Sequence, residues 1–226
     1  MAQSDRHGEI STLILDMDGT LLDLHFDDQV WNHALPRALA ARQRSALPEA
    51  KTHVVATLNT ARGTLAWYCM DHWSREFGLS LHDIENELAH LIGVRDGTLE
   101  FLTFGHASRS RCVLATNAHP ASLQRKLVRT GLAPYFDQIV SAHEFGVPKE
   151  DPRFWTEFTA QTQIEPSTAV LVDDNSAVLA TAREFGIRHV FGVRYPSSSG
   201  SLKHYPAFAS VNALDELLPW LRTRGV

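Results

Sequence analysis

The sequence predicts a doubly wound α/β fold: a mostly parallel, Rossmann-like sheet with an all-helical segment inserted after its first strand. Three observations carry this. Unbroken apolar runs recur at 10–15, 112–115, 138–140, 168–172 and 188–192, the mark of strands covered on both faces in a parallel sheet. Helical periodicity fills the gaps between the later runs, at 120–130, 152–163 and 176–185, and this alternation builds βαβ units. Between residues 24 and 95 the alternation stops and only helical patterns remain.

The first run ends in the acidic turn Asp16-Met17-Asp18-Gly19-Thr20. Gly131 and Gly186 stand directly after helical patterns, where a glycine ends a helix at little cost. In the irregular interval the clearest pattern is a helix over 58–77, with Ala66, Met70, Trp73 and Phe77 on one stripe. About seventy residues is too long for an ordinary crossover. The expected organisation is therefore a core formed by 1–23 and 96–226 and a helical cap formed by 24–95, with hinges at 22–26 and 95–97. Residues 195–208, rich in Ser, Gly and Pro, are expected to form a loop.

Composition narrows the function classes. A chain of 226 residues, 44% of them hydrophobic, can bury a substantial core. A formal charge of −5, a pI near 6.2 and the absence of any Lys/Arg block give no electrostatic basis for binding a nucleic-acid polymer. The polar opening, with Asp5 and Glu9, lacks the apolar centre of a signal peptide. No apolar run approaches the ~20 residues of a spanning helix. Cys69 and Cys112 are the only cysteines, which excludes a disulfide scaffold and a cysteine zinc site. The expectation is a soluble, cytoplasmic protein.

Open α/β sheets bind ligands beyond the carboxyl ends of their strands, so what each strand delivers there is informative. Asp16 and Asp18 lie at i and i+2 on a strand end and project to the same side. Two anions that close repel each other unless a cation intervenes, which points to a divalent ion and an anionic substrate. The alternative is an ordinary acidic turn. The second strand ends in Thr116-Asn117, ahead of a helix whose free N–H groups either seat a phosphate or are capped by these side chains. After the third strand, Phe145-Gly146-Val147-Pro148-Lys149 presents a lysine on a proline-stiffened turn, unless Lys149 merely joins Glu150 and Asp151 in a solvated cluster. The fourth strand ends in Asp173-Asp174-Asn175, and a helix cap would need only one of those carboxylates.

These four motifs, in this order, resemble those of the haloacid dehalogenase-like hydrolase superfamily, and the interval after the first motif resembles its helical cap class. The resemblance implies that Asp16 is the nucleophile, forming an aspartyl-phosphate. It implies that Asp18 protonates the leaving alkoxide and then deprotonates the hydrolytic water. Mg²⁺ would be held by Asp16, the backbone carbonyl of Asp18, and Asp174, with Asp173 beside them. Thr116 and the Asn117 backbone would hold phosphate oxygens, with Lys149 balancing their charge. Dehalogenases of the superfamily lack the acid at the position of Asp18, so the resemblance implies phosphomonoester hydrolysis.

Residues 16–24, 65–69, 116–120 and 145–151 further resemble the bacterial GMP/IMP nucleotidases. That branch implies a 5′-nucleotidase acting on purine monophosphates, with a small phosphomonoester as its partner. The alternatives are a phosphatase of small sugar or glycolate phosphates and a non-catalytic phosphate-binding module. Trp31, Trp67, Tyr68 and Trp73 make the cap aromatic. Trp73, on the apolar stripe, is expected in the core. Trp67 shares the opposite helix face with Asp71 and Ser74, either to stack and bond a base or to receive a second cap helix. His119 either touches substrate or caps its helix.

Overall fold

The computed structural model describes residues 9–226, so the reading of the first eight as non-signal lies outside the described residues. The strands are β1 (Thr12–Leu15), β2 (Arg111–Thr116), β3 (Gln138–Ser141), β4 (Ala169–Asp173), β5 (His189–Val193) and β6 (Ala209–Val211). They form one sheet in the order β3-β2-β1-β4-β5-β6, every pair parallel. All residues of β1 and β4 are buried, as their continuous apolar runs require. The sixth strand is an addition to the expected five. Ala-Ser-Val at the sheet edge is too short and too mixed to give the buried-strand signature.

Register sets the level at which the strands end. Leu15 pairs with Leu114 on one side and Val172 on the other, so Asp16, Thr116 and Asp173 leave the sheet close together. The order in which strands are added reverses between β1 and β4, with β2 and β3 on one side and β5 and β6 on the other, and this is the switch point where such sheets bind ligands.

Helix α1 (His25–Asp28) runs through a π-helical turn, Gln29–Ala34, into α2 (Leu35–Gln43), followed by α3 (Leu47–Asn59), α4 (Met70–Phe77) and α5 (Leu81–Leu88). Helices α6 (Thr98–Ala107), α7 (Pro120–Thr130), α8 (Pro152–Thr162), α9 (Ser176–Phe185) and α10 (Leu218–Arg222) accompany the sheet. Gly131 and Gly186 end α7 and α9 in left-handed geometry, as expected.

The single helix expected over 58–77 is not formed. After α3 the chain turns at Gly63 (φ +80°), makes the short 3₁₀ turn Leu65–Tyr68, and starts α4 beyond Cys69. Thr60 and Thr64 bind their hydroxyls to the carbonyls of Thr57 and Ala61, drawing the backbone away from helix. Met70, Trp73 and Phe77 still form a buried stripe, with Trp73 fully enclosed. Trp67 and Asp71 therefore do not share a helix face.

The two connections to residues 24–95 run side by side. Leu22 and Val94 form an antiparallel bridge, Asp23 N donates to Gly93 O at 3.0 Å and Arg95 N donates to Leu21 O at 2.9 Å. Arg95 also donates to the carbonyls of Gly19, Thr20 and Asn212. Phe26, Val30, Trp73 and Leu81 pack into the same apolar cluster as Leu13 and Leu15 of β1. The opposite face of the sheet is covered by Phe154, Trp155, Phe158 and Val178. Among the described residues no helix is long and apolar enough to cross a membrane.

Candidate active site

Beyond the carboxyl ends of the strands lies a cleft of about 1080 Å³, lined from both the sheet side and the helical segment. Asp16, Asp18, Thr116, Asn117, Lys149, Asp173 and Asp174 all reach it. The sequence motifs are therefore brought together, but they divide their partners in a way the spacing did not show.

Asp16 is 6% exposed and accepts a hydrogen bond from Lys149 Nζ on Oδ1 at 2.6 Å. Its Oδ2 is buried with no hydrogen-bond partner among the described residues. Lys149 is itself buried, and its Nζ also donates to Asp173 Oδ2 at 2.7 Å and to the Ala115 carbonyl at 3.0 Å. It is thus held inside the site by three acceptors, not displayed in a solvated cluster. Burial raises the Asp16 carboxyl to about 7, with Lys149 pulling the other way, and raises Asp173 to about 6 by the same balance. For Lys149 burial opposes the charge, but Asp16 and Asp173 outweigh it and hold the ammonium above its ordinary range.

Asp18 turns elsewhere. Its Oδ1 accepts from Lys126 Nζ at 2.7 Å, and the same nitrogen reaches Asp27 Oδ1 of α1 at 2.7 Å. Lys126 is 2% exposed and lies over the Phe26 ring. The two carboxylates of the first motif share a cleft, yet each is matched to its own lysine.

Neither aspartate at the end of β4 caps the following helix. That task falls to Asn175, whose Oδ1 accepts from Ala177 N at 2.9 Å. Asp173 spends Oδ1 on Asn175 N and Oδ2 on Lys149. Asp174 Oδ2 accepts from Lys203 Nζ at 2.6 Å, and the Asp174 carbonyl is held by Lys203 and by the Tyr205 hydroxyl. Burial raises the Asp174 carboxyl, and nearby Asp16 adds to the rise. One carboxylate oxygen from each of Asp16, Asp173 and Asp174 lies within 4.8 Å of the other two. Two buried carboxylates and one half-buried carboxylate, one of whose oxygens lacks a partner among the described residues, form a donor set suited to a hard divalent cation. The Asp18 carboxylate is not part of this cluster.

Gly19 makes room for it. Its φ is +86°, and a Cβ there would sit 2.7 Å from Asp174 Cγ. Gly192 does the same for Tyr205, since a Cβ on β5 would sit 2.7 Å from its ring.

Thr116 Oγ1 accepts from Ala118 N at 3.0 Å, shaping the turn before α7. The Asn117 side chain is spent on the neighbouring loop: Oδ1 accepts from Lys149 N at 2.8 Å and Nδ2 donates to Glu150 Oε2 at 2.9 Å. Glu150 also accepts from Asn175 Nδ2 and, at 2.6 Å, from the Tyr68 hydroxyl. This one carboxylate ties three motif segments and the helical segment together. His119 caps α7, Nδ1 accepting from Ala121 N at 3.3 Å, and also lines the cleft. Burial holds its imidazole below the ordinary range, against the pull of Asp71. Trp67 lines the cleft, but Asp71 does not. The Asp71 carboxylate is bound by His82 at 2.8 Å and faces His119 at 3.5 Å, and the His82 hydrogen bond holds it below the usual carboxylate range.

Sequence reasoning missed Lys126, Asp27, Glu150, Lys203 and Tyr205. For Lys126 a signal was present: it lies three residues after Leu123, on the buried stripe of α7, where a lysine needs an acidic partner. Lys203 and Tyr205 come from the irregular 195–208 segment and carry no local signal.

The profile of haloacid dehalogenase-like hydrolases, described as a hydrolase family, matches residues 10–186, which contain all four motifs. The chain belongs to the haloacid dehalogenase-like hydrolase family. GMP/IMP nucleotidase YrfG of Escherichia coli is 37% identical over 213 residues, covering 94% of this chain and 96% of that protein. A phosphorylated carbohydrates phosphatase of Thermotoga maritima is 25% identical over 112 residues, 50% of this chain and 52% of its own. In structure, a haloacid dehalogenase-like phosphatase of Thermococcus onnurineus superposes with a TM-score of 0.82 at 19% identity, over 96% of this chain and 100% of that one. L-2-haloacid dehalogenase of Xanthobacter autotrophicus gives 0.62 at 18% identity, over 95% and 99%. Members of the family with different leaving groups thus share this fold, so the reaction must be read from the site.

Proposed function

We propose that the protein is a Mg²⁺-dependent phosphomonoester hydrolase that works through an aspartyl-phosphate and prefers purine nucleoside 5′-monophosphates. The observation that carries the chemistry is Asp16: one oxygen fixed by Lys149 at 2.6 Å, the other buried and partnerless beside two further carboxylates. Asp16, Asp174 and the Asp18 carbonyl are assigned to the cation, with Asp173 beside them. When bound, Mg²⁺ neutralises charge on the transferring phosphoryl group and on the carboxylates around it.

In this reading the Asp16 carboxylate attacks phosphorus. Asp18 gives a proton to the departing alkoxide, then takes one from the water that hydrolyses the intermediate, and phosphate leaves. Lys149 keeps Asp16 in place and offsets negative charge as the phosphoryl group arrives. Thr116 and the Asn117 N–H are assigned to the phosphate oxygens; the Asn117 side chain is occupied elsewhere. Residues 24–95 are assigned the role of a cap that selects the leaving group. The preference for purine nucleotides rests on the Escherichia coli relative, similar along nearly the whole chain. Sugar phosphates are the second reading, supported by the relative that matches half of it. A cytoplasmic setting agrees with such substrates.

The test is phosphate release from a panel of phosphomonoesters with and without EDTA. IMP and GMP are expected to react fastest, and EDTA to abolish release. Equal rates on every ester would remove the nucleotide preference and leave a phosphatase. No release from any ester, with Mg²⁺ present, would remove both.

A further inference from the structure

Four cationic side chains line the cleft, Arg62, Lys126, Lys149 and Lys203. Three are committed to carboxylates: Lys126 to Asp18 and Asp27, Lys149 to Asp16 and Asp173, and Lys203 to Asp174. Arg62 differs. Among the described residues its guanidinium makes no hydrogen bond or ion pair, and its contact is with the Trp67 ring, 5.3 Å from the centroid. Such a cation–π contact engages the charge of the guanidinium and none of its N–H groups. A cation lining a cleft rich in carboxylates, yet left without one, has its donors available to a ligand.

Trp67 is held more firmly than its place in a turn implies. The indole of buried Trp73 donates to its carbonyl at 2.9 Å, and the neighbouring Tyr68 hydroxyl is bound to Glu150, next to Lys149, at 2.6 Å. The turn that carries Trp67 is thus anchored to both the helical segment and the phosphate side of the cleft. A flat ring fixed in this way is a preorganised stacking surface for a base once the exposed Arg62 side chain swings from over the ring to the base edge.

We infer that Trp67 and Arg62 form the base-recognition site and that together they select a 6-oxopurine. This rests on the phosphomonoesterase reading above and names the residues that read its leaving group. Arginine has donors only, so it reads acceptors. A 6-oxopurine presents two adjacent acceptors, O6 and N7, which a guanidinium engages with both arms. Adenine replaces O6 with an amino donor that faces the arginine donor to donor. Uracil offers no such adjacent pair, and the adjacent acceptors of cytosine, O2 and N3, lie on a smaller single ring that stacks less on Trp67. Guanine and hypoxanthine share the edge that Arg62 reads, and stacking on Trp67 does not distinguish purines.

The experiment compares kcat/KM for IMP, GMP, AMP and glycerol 2-phosphate in the wild type, Arg62→Met, Arg62→Lys and Trp67→Leu. Arg62 stands in an exposed turn, so folding is not at stake in its variants. Arg62→Met is expected to lower the IMP-to-AMP ratio about tenfold or more, through KM, with Arg62→Lys restoring part of it. Trp67→Leu is expected to lower all three nucleotides together, relative to glycerol 2-phosphate, by about fivefold or more. An IMP-to-AMP preference that survives intact in Arg62→Met overturns this inference alone. A wild type that handles IMP no better than glycerol 2-phosphate overturns the nucleotide reading, and this inference with it.

Discussion

Lys126 Nζ bridges Asp18 and Asp27, 2.7 Å from an oxygen of each, and so joins the first motif to the first helix of the 24–95 segment. The lysine is 2% exposed, while the carboxylates are 21% and 23% exposed. Burial opposes its charge, but Asp18 and Asp27 outweigh that and hold the ammonium above its ordinary range. Removing the cation would leave two anions facing each other in the cleft wall. Lys126→Met is expected to destabilise the protein by about 3 kcal/mol, within the range for breaking a buried ion pair. Urea unfolding measures this, and an unchanged midpoint would show that water already screens the pair.

Asp16→Asn keeps the shape of the side chain and removes the nucleophile. Phosphate release from IMP is expected to fall by about 10³-fold or more, while far-ultraviolet circular dichroism stays native. Activity equal to wild type in a folded Asp16→Asn protein would refute the assigned chemistry.

Burial gives the carboxyl cluster a definite pH signature. Asp16 at about 7 and Asp173 at about 6 stand above the ordinary 3.8, so the folded protein binds protons there more tightly than the unfolded chain. For a raised carboxyl the stabilising contribution is full below about 4 and is lost as pH rises toward 7. A divalent cation needs the same groups ionised and competes with those protons. The rise in Tm on adding Mg²⁺ to EDTA-treated protein is therefore expected to be larger at pH 8 than at pH 5.5. Equal increments at the two pH values would place the cation elsewhere.

Gly19→Ala tests how tightly the first motif is fitted to the last. The substitution asks alanine to adopt φ +86° and to place a Cβ 2.7 Å from Asp174 Cγ. A stability loss above about 1 kcal/mol is expected, with a higher Mg²⁺ concentration needed for half-maximal activity. Thermal melts and a Mg²⁺ titration read the two effects separately.

Much of this was legible in the chain. Strands buried on both faces write themselves as apolar runs, so β1 and β4 were found to within two residues, whereas the edge strand Ala209–Val211 left no such record. Residues at strand ends were found because topology alone gathers them: Asp16, Thr116, Lys149 and Asp173 all face one cleft. Partnerships were not legible. Nothing near Asp18 announces Lys126, which lies 108 positions away, and nothing near Asp174 announces Lys203. The irregular interval hid its break for a local reason. Its apolar stripe continues through 66–77, but Gly63 and two threonine hydroxyls end the helix where periodicity alone would extend it.

The bridge between Leu22 and Val94 has one more consequence. Because the chain leaves the sheet and returns at neighbouring points, the length of the intervening helices is not fixed by the strands, although Phe26, Val30, Trp73 and Leu81 share the apolar cluster of β1. In the proposed division of labour, the choice of leaving group and the phosphoryl chemistry then occupy separately exchangeable stretches. A chimaera that grafts another relative's helices between these two residues would carry over the donor's substrate preference while leaving the strand register untouched.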